Sequence, residues 1–284
     1  MTTAEAFTAP VAFHGEGAFW DEAVGALRMV DMLEGDVLTV TAEGSVSRTR
    51  VGTVAAVVRA RAGGGYLVAT EHGFAVTDVD LRVETQVSAL DDAALRFNEG
   101  GCDPQGRFYC GTMAYDLTPS AGTLYRLDPD LSVHVVLDEV TIPNGLQWSA
   151  DGSTVTHADT AAGRIWQYDF DPARGAFSGK REFIAFDESM GAPDGTARDE
   201  DGGLWVAMWG GGAVRRFDAQ GRLVEVIDLP VSNPTSCAFG GPDRDILYIT
   251  TSQQEVDVAR EPLAGAVFVA SAGTRGAAPH PFAG

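Results

Sequence analysis

An all-β fold, a six-bladed β-propeller, is what this 284-residue sequence predicts, and three observations lead there. A turn-strand-turn-strand unit recurs six times along the chain. Glycine is abundant, at 34 residues, and helical periodicity of ordinary length is scarce. With 45% hydrophobic side chains the chain can also bury a sizeable core.

The units can be taken in order. A strand follows a turn at GALRMVDM (25–32), GGYLVATE (64–71), GRFYCGTM (106–113), GSTVTHAD (152–159), GGLWVAMW (202–209) and DILYITTS (245–252). A second strand follows each at GDVLTVTA, HGFAVTDVD, GTLYRLDPD, GRIWQYDFD, GGAVRRFDA and GAVFVASA, commonly leaving through an aspartate turn. None of these modules can bury its face alone, so six of about four strands each stack radially as blades. A sandwich pair would not need the same unit six times, and a parallel β-helix would need shorter coils. Ring closure is expected between FTAPVAFH, ahead of the first unit, and the last blade, because unpaired ends leave two exposed sheet edges. The segment from Ala272 to Gly284, rich in Gly, Ala and Pro, reads as a flexible end to one domain spanning 1–284.

Composition narrows the function. A formal net charge of −20 would repel nucleic acid and anionic bilayers, and no apolar run is long enough to span a membrane. Cys102, Cys110 and Cys237 form no CxxC pair and are expected as free thiols of a cytoplasmic protein. A monomer or weak homo-oligomer is expected.

Polar residues at equivalent places in different units are candidates to meet at the central channel. HGEG supplies Glu16, RFNEGG supplies Arg96, Asn98 and Glu99, IPNGLQW supplies Asn144, and APDGTARDEDGGLW supplies Asp194 and Asp199. Glu16 stands just before an apolar run, where a carboxylate needs a partner. Asn-Gly and Asp-Gly are also ordinary turn signals. No hairpin is evident after PNGL and PDGT, however, and both enter apolar strands at matched places. Glu, Asn and Asp oxygens suit a hard divalent cation, whereas the five histidines do not cluster in sequence as a zinc site would require. His14, two residues from Glu16, is read as an outer partner or a packing residue.

HGEGAFWD, RFNEGGCDPQGRFYCGTM, IPNGLQWSADGSTVTHADT, PDGTARDEDGGLWVAMWGGGAVRRFD and PTSCAFGGPDRDILYITTS, in that order, resemble the family of gluconolactonase, senescence marker protein (regucalcin) and related sugar lactonases. The resemblance runs from about residue 12 to 270 and implies a six-bladed propeller holding one divalent cation (Ca, Mn, Mg, Zn or Fe). It assigns the metal to Glu16, Asn144 and Asp194, with Asp194 also the general base. It assigns substrate contacts to Arg96, Asn98 and, on the loop AYDLTPSA, Asp116. The family more often has aspartate at Glu99, a small or apolar residue at His14 and another side chain at Cys102.

The reaction implied is metal-dependent hydrolysis of a sugar lactone to its aldonic acid, with water deprotonated by Asp194. The chain has no GxSxG motif, which disfavours a serine-hydrolase route. Three other readings stand beside it: a non-enzymatic calcium-binding or regulatory propeller, a protein-interaction propeller, and a metal-dependent hydrolase of another ester or of organophosphates.

Overall fold

The computed structural model describes residues 2–284. Six antiparallel sheets succeed one another along the chain, and each innermost strand packs against the next, the last against the first. The result is a six-bladed β-propeller. Among the described residues the only helical turns are the short 3₁₀ segments Met32–Glu34 and Glu188–Met190.

The innermost strands are Gly15–Asp21, Ala55–Ala60, Leu95–Cys102, Pro143–Trp148, Ala192–Arg198 and Pro234–Gly240. The strands of the repeated sequence unit are the second and third of each blade, for example Ala26–Asp31 and Asp36–Thr41 in blade 1. Glu16, Arg96, Asn98, Glu99, Asn144 and Asp194 therefore lie on the innermost strands themselves. The repeated unit did not mark these strands because they are buried on both faces and show no alternation. Outermost strands such as Val46–Arg50 (VSRTR) are exposed and polar, which blunts their free edges.

Closure follows the expected principle with shifted bounds. Glu5–Ala6 pairs antiparallel with Phe268–Ser271 as the outer strand of blade 6. Residues 7–12 add backbone hydrogen bonds to Val267 and Gly265, and Thr2–Thr3 adds a parallel strand to blade 5.

The end of the chain departs from expectation, for it is packed. Phe282 is fully buried in the core of blades 1 to 3, and its backbone bonds Ala60 and Ala62. Ala277 N–H donates to Arg198, and Ala283 N–H to Gly106. A Cβ on Gly276 would stand 2.1 Å from Phe239. Composition missed this because one aromatic anchor and a row of backbone hydrogen bonds suffice to seat a segment poor in apolar side chains.

Candidate active site

Every innermost strand breaks register with its neighbour at the same level. The breaks fall between Glu16 and Phe19, Ala55 and Val57, Phe97 and Gly100, Asn144 and Gln147, Pro193 and Thr196, and Pro234 and Ser236. A β-bulge sets two residues against one and re-aims their side chains. Bulges at this level bring Glu16, Asn98, Glu99, Asn144 and Asp194 into one buried zone of the channel, while Thr235 Oγ1 is taken up by Gly15 O and Thr250 Oγ1. Blade 2 supplies only Ala56 there. Gly17 and Gly145 allow the turn, with φ of +62° and +50°, and a Cβ on Gly145 would press to 2.8 Å from Thr196.

A hydrogen-bonded chain ties three blades together. Arg96 Nη1 donates to Asn98 Oδ1 (2.7 Å), and Asn98 Nδ2 donates to Asn144 Oδ1 (3.1 Å) and to Pro143 O (3.0 Å). Asn144 Nδ2 donates to Thr160 Oγ1 (2.8 Å), which donates to Pro193 O (2.7 Å). The Asn98 amide is thereby engaged in holding Arg96 and Asn144, whereas Nε and Nη2 of Arg96 make no hydrogen bond to the described residues.

Three buried carboxylates meet in this zone. Glu99 accepts from Gly145 N–H and lies 3.9 Å from Arg59 Nη2. Glu16 accepts from Gly17 N–H (3.1 Å) and lies 4.0 Å from His14 Nε2. Asp194 Oδ1 is buried with no hydrogen-bond partner. Burial, then the charge of Glu99, pushes the Glu16 carboxyl up to about 8. Burial, then Glu16 and Glu99, raises Asp194 well above the usual carboxylate range. Burial raises Glu99 as well, against the pull of Arg59. The general-base role that the resemblance gives Asp194 needs the ionised carboxylate, which a positive charge beside it favours. His14 is held neutral, lowered to about 3 by burial and by Arg96, with Nδ1 2.8 Å from Ser252 Oγ.

The donor set fits a hard cation: an orphaned acid oxygen, two further crowded carboxylates and an amide oxygen. Among the described residues no three His, Cys, Asp or Glu side chains form a complete ligand group by themselves. A cation held by Glu16 and Asp194 would take its third protein oxygen from an amide, as Asn144 offers. The thiols are no alternative, since burial pushes Cys102 up to about 12 and raises Cys110 and Cys237 as well.

Two sequence candidates, Asp199 and Asp116, lie outside the buried cluster, Asp116 next to Tyr115 on the loop after Phe108–Ala114. Asp199 sits at the opposite end of its strand and accepts from Gly203 N–H (2.7 Å), Trp205 Nε1 (3.0 Å) and Arg216 Nε (2.8 Å), a fully bonded turn residue. Asp116 is exposed, and its Oδ1 accepts from Thr118 Oγ1 (2.7 Å) and Thr118 N–H (3.0 Å), so it caps its own turn outside the buried cluster. Its neighbour Tyr115 does reach the site: Arg96 stands over its ring at 5.9 Å, and its hydroxyl donates to Glu71 (2.7 Å). Arg59 was missed, although an arginine in the apolar run AAVVRA (55–60) was a signal. It donates to Gly17 O (2.8 Å) and Gly100 O (2.7 Å), clamping blades 1 and 3 around Glu99. Thr160 had no comparable signal.

Fold and site together define a class, a six-bladed propeller whose channel gathers buried acids and amides, among them a fully buried carboxylate oxygen with no hydrogen-bond partner among the described residues. Within it, the chain belongs to the SMP-30/Gluconolactonase/LRE-like family, whose family model matches residues 14–253. It is 35% identical to regucalcin of Gallus gallus over 283 residues, covering 95% of each chain. It is 34% identical to the putative sugar lactone lactonase YvrE of Bacillus subtilis, again over 95% of each. Among solved structures, a calcium-binding protein, regucalcin, from Agrobacterium tumefaciens matches with a TM-score of 0.89 at 26% identity, over 99% of this chain and 97% of that one.

Proposed function

We propose that the protein is a divalent-cation-dependent hydrolase that opens a sugar lactone to its aldonic acid. The observation that carries this reading is Asp194 Oδ1, buried and unpartnered beside the carboxylate of Glu16, at the level of Asn144. Family membership and the likeness to a putative sugar lactone lactonase support it, and the calcium-binding Agrobacterium relative supports the cation.

Glu16, Asn144 and Asp194 would hold the cation. When bound, a divalent cation polarises the lactone carbonyl and makes nearby water more acidic. Asp194 takes the proton from the water that attacks the carbonyl carbon, and returns it to the ring oxygen as the C–O ester bond breaks. Arg96 turns its free Nε–H and Nη2–H groups to the sugar oxygens, and Asn98 sets Arg96 and Asn144 relative to one another. The substrate is a small polar molecule, and the net charge of −20 repels nucleic acid. Three buried free cysteines suit a cytoplasmic setting, and among the described residues no helix is long and apolar enough to cross a membrane.

The test is a panel of glucono-, galactono-, arabino-, xylono- and fuconolactones, assayed on metal-stripped protein restored with Ca²⁺, Mn²⁺, Mg²⁺, Zn²⁺ or Fe²⁺. Turnover is expected only with a cation present. One bound cation without turnover of any lactone would identify a calcium-binding propeller instead. Turnover confined to other esters or organophosphates would identify a different hydrolase.

A further inference from the structure

Three connections at the end of the propeller where the innermost strands begin are tied together by one carboxylate. Glu71 stands in the turn between Tyr66–Thr70 and Gly73–Thr77 of blade 2. Its Oε1 accepts from the hydroxyl of Tyr115 (2.7 Å), on the loop after Phe108–Ala114 of blade 3. Its Oε2 accepts from Thr53 Oγ1, on the connection from blade 1 to blade 2. The backbone seats the same two residues beside Arg96. Phe97 N–H donates to Glu71 O (3.1 Å), and Tyr115 N–H donates to Ala94 O (3.0 Å), so the anchors flank Arg96 in sequence.

Arg96 needs such support. Its Nη1 is bonded to Asn98 Oδ1 (2.7 Å), Phe97 O (3.0 Å) and Met32 Sδ (3.2 Å), while Nε and Nη2 have no hydrogen-bond partner among the described residues. A planar group held at one corner has a pivot but no fixed plane. Burial pulls the guanidinium below its ordinary pKa, and Tyr115, Glu16 and Glu71 oppose that pull. The Tyr115 ring, its centroid 5.9 Å from Arg96 Cζ, offers the face that attracts a cation. Thr53 and then the Tyr115 hydroxyl hold the Glu71 carboxyl below its ordinary range, so it is ionised at neutral pH. A phenol that donates to a carboxylate is polarised, with more negative charge on its ring. Asp116, one residue further on, bonds Thr118 and has no such tie to Arg96.

We propose, on the reading of Arg96 as a substrate contact, that Tyr115 and Glu71 are positioning residues for it. The ring, clasped through its hydroxyl to Glu71, sets the plane of the guanidinium and so the direction in which Nε–H and Nη2–H meet the sugar oxygens.

The test compares the metal-loaded full chain with Tyr115→Leu, Tyr115→Phe and Glu71→Gln. A cation–π contact is worth about a factor of 2 to 30, so Tyr115→Leu should lower kcat/KM about 10-fold, chiefly through KM, with cation affinity unchanged. Tyr115→Phe keeps the ring and should recover most of that loss. Glu71→Gln keeps the size but not the charge, and should match Tyr115→Phe. A crystal structure of Tyr115→Leu gives a readout that needs no substrate: the Arg96 guanidinium should turn out of its present plane while Asn98 stays on Asn144. An unmoved Arg96 would overturn the proposal, as would a wild-type KM in Tyr115→Leu or equal losses in the Phe and Leu variants. Should the wild type open no lactone, the hydrolase reading falls, and the placement of Arg96 in that crystal structure still decides whether Tyr115 positions it.

Discussion

Blades 1, 3 and 5 each carry two buried acids along the innermost strand and the turn that follows it, one at the bulge and one at the hairpin, and the two places live under different rules. At the bulges stand Glu16, Glu99 and Asp194, buried, crowding one another and raised in pKa. At the hairpins stand Asp21, Asp103 and Asp199, equally buried but saturated. Asp21 accepts from Tyr66 OH (2.7 Å) and Arg28 Nε (3.3 Å), Asp103 from Arg107 Nε (2.6 Å) and Tyr109 OH (3.0 Å), and Asp199 from Arg216 and Trp205. Burial alone therefore does not mark a functional acid. What separates the two sets is whether the fold has already supplied the partners, since a satisfied network rigidifies while an unsatisfied one awaits a ligand.

The largest effect that would break this comparison is on catalysis. Asp194→Asn keeps the size and one oxygen donor but removes the proton acceptor, so lactone turnover should fall by about 10²- to 10⁴-fold at saturating metal, after subtraction of spontaneous opening. Retention of more than roughly a tenth of the rate would reduce Asp194 to a ligand. The hairpin counterpart should behave oppositely. Asp103→Ala strands Arg107 and Tyr109 and should cost about 3–5 kcal/mol in urea unfolding while the folded fraction keeps its turnover. A variant of unchanged stability would show that the hairpin acids are not structural.

Two smaller effects sharpen the contrast. Thr160→Val leaves Asn144 Nδ2 without its partner and should weaken cation affinity about 10- to 100-fold, read by calorimetric titration, with little change in unfolding free energy. The last effect is a slope. Glu16 is raised from 4.5 to about 8 in the folded protein, so the protonated form stabilises the metal-free fold fully below about 4.5, and that stabilisation is lost as pH rises through 8. Melting of metal-free protein should therefore fall more steeply between pH 5 and 8 than melting of Glu16→Gln. Added cation should counter the fall, because it replaces the proton. Parallel slopes for the two proteins would mean that Glu16 is not under this strain.

Much of this was legible in local pattern. Second and third strands such as GSTVTHAD and GRIWQYDFD were marked by their turns and lie where expected, at Thr154–Asp159 and Arg164–Asp171. The polar-glycine pairs at Glu16, Asn144 and Asp194 were visible because a bulge on a buried strand draws on glycine. Asp199 was indistinguishable from Asp194 by residue type, because the end of the strand on which an acid falls is not written in its neighbours. Asp116 was brought in by the resemblance; its Oδ1 bonds Thr118, and its Oδ2 makes no hydrogen bond to the described residues. Arg59 hid in an apolar run, and its importance appears only once Gly17, Glu99 and Gly100 surround it.

Sequence by itself determined the six-fold repeat, the all-β class and the family, because turns and strand alternation act over a few residues and survive in any one-dimensional reading. Tertiary structure alone decided which acids are saturated and which remain open, that Phe282 pins the last segment across the channel, and that Glu71 of one blade meets Tyr115 and Arg96 of the next. Each of those outcomes depends on distances between side chains from different blades, and only closure of the ring sets such distances.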